Sequence, residues 1–196
     1  MQDTSVFMPL DDFFNKIGRR RAIVLCQLPV SLAMGLITFF ALLFSPASLT
    51  DTAFLITLLL QLLILVASLA CPWNRLPAGT FAVIPVADCL VLALTREVGG
   101  PVLSIVGLLI AFPVIWLAVS ASKTRLALAI TAPLLGTIAS PLALGSEIEQ
   151  TDLIRMILFP VIMEGLAITA HLVAGGVLKH RNSRDQKDLE LVIVST

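Results

Sequence analysis

The sequence predicts an all-α polytopic membrane protein, a bundle of six transmembrane helices with both termini cytoplasmic. Three observations lead there. The 196 residues are 58% hydrophobic and only 13% charged, against about half apolar and about a quarter charged in an ordinary soluble domain. Apolar runs of about 20 residues, the length that crosses a hydrocarbon core, recur along nearly the whole chain. Basic residues collect at alternate ends of those runs. A soluble helical bundle would carry polar faces at helical period, and these runs carry none. A β-barrel would alternate apolar and polar residues strictly, and this chain does not.

The spans follow from the turn and charge clusters between them. Residues 1–21 form a cytoplasmic tail, residues 22–178 the membrane domain, and residues 179–196 a basic cytoplasmic tail or linker. Within the tail, "VFMPLDDFFNKIG" mixes Phe7, Phe13, Phe14 and Ile17 with charges and suits either an inner-leaflet surface or a disordered segment. The basic run Lys16–Arg21 precedes more than 20 apolar residues with no A-x-A site, so the first span, about 22–44, reads as an anchor. A second span covers about 53–71. The third, about 80–95, is the shortest, bounded by Leu76-Pro77-Ala78-Gly79 and by Arg96-Glu97-Val98-Gly99-Gly100-Pro101, both strong turn chemistry. The fourth, fifth and sixth cover about 101–122, 126–144 and 153–178.

Charge placement decides whether the third run crosses. With six crossings the inside segments hold Lys16, Arg19, Arg20, Arg21, Arg75, Lys123, Arg125, Lys179, Arg181, Arg184 and Lys187, eleven of the thirteen basic residues. The outside loops then hold only Arg96, with Arg155 just inside the outer end of the last span. Five crossings would put one of the two basic clusters outside, against the positive-inside rule. The outer loops "SPASLTD", "REVGG" and "GSEIEQTD" are far shorter than the roughly 50 residues of an independent domain. A stimulus or substrate therefore acts within the membrane, at these loops, or from the cytoplasm.

Ionisable residues inside a span are costly and turn towards partners in the bundle. Asp88 sits in the middle of the third span and Glu164 near the middle of the sixth, which makes them candidates for one polar layer. Gln61, Gln27 or a hydroxyl such as that of Thr169 are the available hydrogen-bond partners. Either a proton- or cation-sensitive site or a plain structural contact fits this pattern, the structural one being favoured because no basic residue shares the layer. His171 lies seven positions beyond Glu164, on the same helical face but about 10 Å away, and nearer the cytoplasmic end. Arg155 faces the opposite side from Glu164 and is expected to snorkel or to pair with Asp152.

Other features read as packing. Ala132, Gly136 and Ser140 make a small-residue stripe in the fifth span, and Gly107 and Ala111 a shorter one in the fourth. Prolines at 29, 85, 113, 133, 141 and 160 fall in or near spans, where each removes a backbone hydrogen bond. Cys26, Cys71 and Cys89 lack metal or redox spacing, so no disulfide, metal or cofactor is expected. Walker, HExxH and GxSxG motifs are missing, and whether a parent protein is an enzyme stays open. His180, in "LKHRNSRD", reads as a juxtamembrane residue beside Lys179, Arg181 and Arg184, which suit an anionic leaflet. The zero net charge gives no sign of a nucleic-acid partner.

Three stretches, "IPVADCLVLALTREVGG", "FPVIWLAVS" and "ILFPVIMEGLAITAHLVAGGVL", with the tail "DLELVIVST", resemble the N-terminal membrane region of actinobacterial PAS-containing sensor histidine kinases. Some related regions precede diguanylate cyclase domains. The resemblance covers about residues 80–196. It implies a membrane input module that passes a signal through the sixth helix to a cytoplasmic domain outside these residues, with Asp88, Pro113 and Trp116 as the family's positions. Its partners would be the bilayer, anionic inner-leaflet lipids at the basic tails, a second copy in a homodimer, and the cytoplasmic signalling domain, at the cell membrane. A small transporter or channel lined by Asp88 and Glu164, or a membrane scaffold, is the alternative.

Overall fold

The computed structural model describes residues 18–44, 51–98, 104–120, 122–145 and 150–194. The amphipathic tail at Phe7–Ile17 lies outside them. Among the described residues the chain forms six α-helices: α1 (Arg19–Phe44), α2 (Thr52–Ala70), α3 (Val83–Val98), α4 (Ala111–Val119), α5 (Lys123–Leu144) and α6 (Gln150–Val194), with short 3-10 segments before α3 and before α4. Four stretches, Arg20–Phe44, Thr52–Ala70, Lys123–Leu144 and Leu153–Gly176, are long and apolar enough to cross a membrane.

Helix α2 shows the solvent for which the surface is built. Its buried stripe is Phe54, Thr57, Gln61 and Ser68, at the three- and four-residue spacing of one helical face. Its exposed face carries Leu55, Ile56, Leu59, Leu62, Leu63 and Val66. Polar groups thus point inward and aliphatic ones outward, the reverse of a soluble helix. The same holds at Leu32, 66% exposed on α1, and Leu172, 67% exposed on α6. This surface is compatible with a membrane protein.

The two shorter α-helices share one construction. Ala78–Ala82 is a 3-10 turn leading into α3, whose third residue is Pro85. Ser104–Ile110 is a 3-10 segment leading into α4, whose third residue is Pro113. In an α-helix a proline ring clashes with the carbonyl four residues back, which disfavours regular winding from Phe81 to Pro85 and from Leu109 to Pro113, although Pro29, Pro133, Pro141 and Pro160 are accommodated inside helices elsewhere in the chain. The preceding turn tightens to 3-10 instead, and proline falls in the first α-turn, where its missing N–H would have had no partner. The fourth apolar run, expected as a single span over 101–122, is therefore two differently wound pieces. At rises of about 2.0 Å and 1.5 Å per residue, the third composite is about 34 Å long and the fourth about 28 Å.

Helix α3 is the hub. It packs against α5 and α2 and also against α1, α4 and the 3-10 segment before α4. Cys89, Leu92 and Ala93 are sealed in a core that takes in Val30, Phe54, Val106, Ile110, Val114, Ala129, Ala132 and Met163. The Ala132, Gly136 and Ser140 stripe is buried, and Gly136 lies where an added Cβ would come within 2.9 Å of the Ala93 Cβ and 3.4 Å of the Cys89 carbonyl. Helix α6 is peripheral, packed on α4 and α5.

Local signals set the ends. The Asp51 side chain accepts from the Ala53 N–H at 2.9 Å and caps α2. At the other end of α2 two donors serve carbonyls of the last turns: Arg20 Nη2 reaches the Leu69 oxygen at 2.8 Å and Trp73 Nε1 the Ser68 oxygen at 2.9 Å. Trp73 then packs with Ile23 and Ile84, fastening α1, the turn and α3 together at that end. Gly145, with φ of 64°, closes α5 in the left-handed conformation that glycine adopts without strain.

Candidate functional site: a buried carboxylate and two amides

Among the described residues one carboxylate is fully buried, on the helix with the most neighbours. Asp88 is 0% exposed. Its Oδ1 accepts two hydrogen bonds, from Gln61 Nε2 of α2 at 2.9 Å and from Gln27 Nε2 of α1 at 3.1 Å. Gln27 Nε2 also lies 3.4 Å from the Ser31 hydroxyl, one turn along α1. The amides are as sealed as the acid, with Gln27 0% and Gln61 5% exposed. Three helices meet here through one oxygen.

Each side chain is aimed inward by the register of its own helix. Gln27 belongs to the α1 stripe Ile23, Cys26, Gln27, Val30 and Met34. Gln61 continues the α2 stripe through Phe54 and Thr57. Asp88 needs no stripe, because α3 is buried nearly all round.

The hydrogen-bond inventory does not close. Asp88 Oδ2, Gln27 Oε1 and Gln61 Oε1 are all buried and have no partner among the described residues. Nor does any described basic side chain form an ion pair with Asp88. Leaving such oxygens unserved costs about 1–3 kcal/mol each, and more for the charged one. A carboxylate and two amide carbonyls form an all-oxygen, singly charged donor set, hard ligands suited to a proton or a small hard cation.

A groove of about 320 Å³ between α1 and α2 opens beside this cluster. Leu58, Leu62, Met34 and Phe39 make its walls, and its polar lining is Ser31, Thr38 and Gln61. Gln61 and Ser31 thus belong both to the groove and to the hydrogen-bonded cluster.

The remaining candidates lie elsewhere. Glu164 is half-buried on α6 and makes no hydrogen bond or ion pair among the described residues. No hydrogen bond joins it to Asp88, whose bonded partners come from α1 and α2. Helix α6 packs chiefly on α4 and α5 and meets α3 at Phe159 and Arg96. His171, half-buried, bonds through Nδ1 to the Ala118 carbonyl of α4 at 2.9 Å. Arg155 is exposed on α6, and the side chain of Asp152, its expected mate, lies outside the described residues. Pro113 is buried and Trp116 half-buried on α4, and neither bonds to Asp88. Thr169 bonds its own helix, at the Gly165 carbonyl. The basic side chains from Lys179 onward lie outside the described residues, although the α6 backbone is helical to Val194.

Arg96, a charge at the outer end of the third apolar run in the sequence, is built into the fold. Its guanidinium sits 4.9 Å from the centre of the Phe159 ring of α6 and 3.7 Å from the Glu97 carboxylate. Its aliphatic stem fills the space beside Gly107. Gln27, with Ser31 beside it, is the other residue underweighted from sequence. The available signal was an amide in an otherwise apolar run.

No family model matches the chain, and neither a curated protein nor a solved structure is significantly similar to it.

Proposed function

We propose that the chain is the membrane input module of a signalling protein, a six-span bundle in the cell membrane with both termini cytoplasmic, which passes its signal outward through α6. The observation that carries this reading is the length of that helix. Gln150–Val194 is one continuous helix of 45 residues, about 68 Å long, whereas the hydrocarbon core is about 30 Å thick. More than half of it would project beyond the bilayer as a rod able to move with its membrane part. The composite third and fourth segments are each near the length of a crossing, and the distribution of Lys and Arg supports six crossings over five. Anionic lipids at the basic tail, a second copy of the chain and a cytoplasmic signalling domain are the partners this reading implies.

Signalling requires that a stimulus bias two arrangements of the output element. Spin labels at Lys123→Cys and Lys187→Cys, in a chain whose native cysteines are replaced by alanine, report the position of the rod against the inner end of α5. We expect their distance distribution to shift when the salt cation, pH or lipid composition changes. A distribution constant through all three would remove the input-module reading.

A small cation transporter or channel is the second reading, favoured by the oxygen cluster beside the groove. Cation flux into proteoliposomes that vanished in Asp88→Asn would support it over the first.

A further inference from the structure

We propose that Gln27, Gln61 and Asp88 form a binding site for a monovalent alkali cation. This concerns what occupies the cluster, and stands whether the chain senses, transports or does neither. The argument is an inventory of oxygens and charge.

Three buried acceptors, Asp88 Oδ2, Gln27 Oε1 and Gln61 Oε1, await a partner in one cluster. Turning either amide over does not help. It would set an amide oxygen against Asp88 Oδ1 and strand the Nε2 donor, so the carboxylate itself fixes both orientations. A proton on Oδ2 would make it a donor to one amide oxygen and leave the other unserved. A water molecule has two hydrogens for three acceptors and leaves the negative charge unbalanced at a depth where an unpaired ion costs several kcal/mol. A monovalent cation beside Oδ2 cancels the charge, and the two unpartnered amide oxygens are available to it as ligands. Carboxylate and carbonyl oxygens are the ligands hard cations take. A divalent ion would retain an unbalanced positive charge, since Asp88 is the cluster's sole carboxylate. The nearby cysteines, Cys26 and Cys89, are neutral apolar neighbours of the kind that exclude water.

The groove between α1 and α2 brings the Thr38 and Ser31 hydroxyls and the Gln61 amide to one lining. Gln61 and Gln27, which Ser31 contacts, both bond Asp88, so that polar lining continues into the cluster. Both amides donate to Oδ1 and hold that oxygen in place. Oδ2 and the carbonyl ends remain for the ion, and the pocket is preorganised without a basic residue.

The test uses the full chain in detergent, with Trp73 and Trp116 as native fluorophores, at fixed ionic strength and pH. Choline chloride is replaced stepwise by sodium chloride or potassium chloride, and the unfolding midpoint is read. A ligand that binds only the folded chain raises the midpoint saturably, by about 5 °C or more at a hundredfold excess over its dissociation constant. We expect that rise for at least one of the two alkali ions, its loss in Asp88→Asn, and at least tenfold weaker affinity in Gln61→Leu. Line broadening of the ²³Na or ³⁹K resonance by the wild-type chain, relieved by competition from the other ion, gives the same answer if a variant fails to fold. Identical midpoints in all three salts, with no broadening, would overturn the proposal. So would an equal response in a folded Asp88→Asn variant, or a protonated-carboxyl infrared band at neutral pH that persists in saturating sodium and potassium and disappears in Asp88→Asn. That last result would make the occupant a proton.

Discussion

The imidazole of His171 donates its Nδ1–H to the Ala118 carbonyl at 2.9 Å and thereby ties α6 to the end of α4. The acceptor assigns the tautomer, since a carbonyl only accepts. Ala118 is in the last turn of α4, where helical carbonyls have no partner of their own. His171 thus serves as a cap supplied by a neighbouring helix. We expect His171→Leu to destabilise the fold by about 1–3 kcal/mol, the cost of a buried polar group left unserved. His171→Gln should recover part of that loss, because its amide can still donate. Denaturant titration in mixed micelles measures both, and equal stability of the wild type and the leucine variant would show that the contact contributes nothing.

Gly136 of α5 lies close against Ala93 of α3. A methyl group on Gly136 would stand 2.9 Å from the Ala93 Cβ with the Cys89 carbonyl behind it, and neither can swing aside as a flexible side chain would. Overpacking of this kind costs about 1–3 kcal/mol, while glycine to alanine in a helix returns about 1 kcal/mol. The clash wins, so Gly136→Ala should be less stable than the wild type. Adding Ala93→Gly removes the opposing methyl, and the double variant should regain most of the loss. If the second substitution only adds to the first, the close approach is not where the strain lies.

What could be read in advance follows from what each kind of signal encodes. Apolar runs bounded by turns give the long helices α1, α2 and α5 to within about three residues, because hydrophobic length is a local property. Pro85 and Pro113 were visible as breakers. That both would sit third in an α-helix behind a 3-10 segment depends on steric contacts that composition does not express. At the site, Asp88 stands out as a charge in an apolar run, and Gln27 and Gln61 as its available partners. Choosing those amides over Glu164 needed the packing order, which depth along a span cannot supply. The structural role of Arg96 was hidden because its partners, Gly107 and Phe159, are apolar or small and far along the chain.

The polar trio should respond to substitution non-additively. Asp88→Leu removes the common acceptor, leaving the buried Gln61 Nε2 unserved and Gln27 Nε2 with only its 3.4 Å contact to Ser31, at about 1–3 kcal/mol for a stranded donor, so it should be among the most damaging single changes in the bundle. Gln27→Leu or Gln61→Leu leaves Asp88 Oδ1 one donor and should cost less. Replacing all three by leucine removes every stranded donor and acceptor together, and should be more stable than Asp88→Leu alone, as when buried ionic groups are exchanged for packed apolar ones. A triple variant no better than the single one would mean that side-chain volume rather than polarity governs this layer.

Side-specific labelling tests the number of crossings. Asn74 precedes the third composite segment, and Ser122 follows the fourth. If both composites cross, Asn74→Cys and Ser122→Cys, in a chain free of its native cysteines, should react with a membrane-impermeant maleimide only after the cells are opened. Ser48→Cys, Gly100→Cys and Ser146→Cys should react in intact cells, and the label at position 100, between the two composites, separates two crossings from none. Were the third segment to re-enter its own side, Asn74 and Ser122 would label from opposite faces. The two composite lengths, about 34 Å and 28 Å against a core of about 30 Å, predict the same face for both. Opposite labelling of these two positions would reduce the six-span bundle to five and place the Arg20 and Lys179 ends on different sides of the membrane.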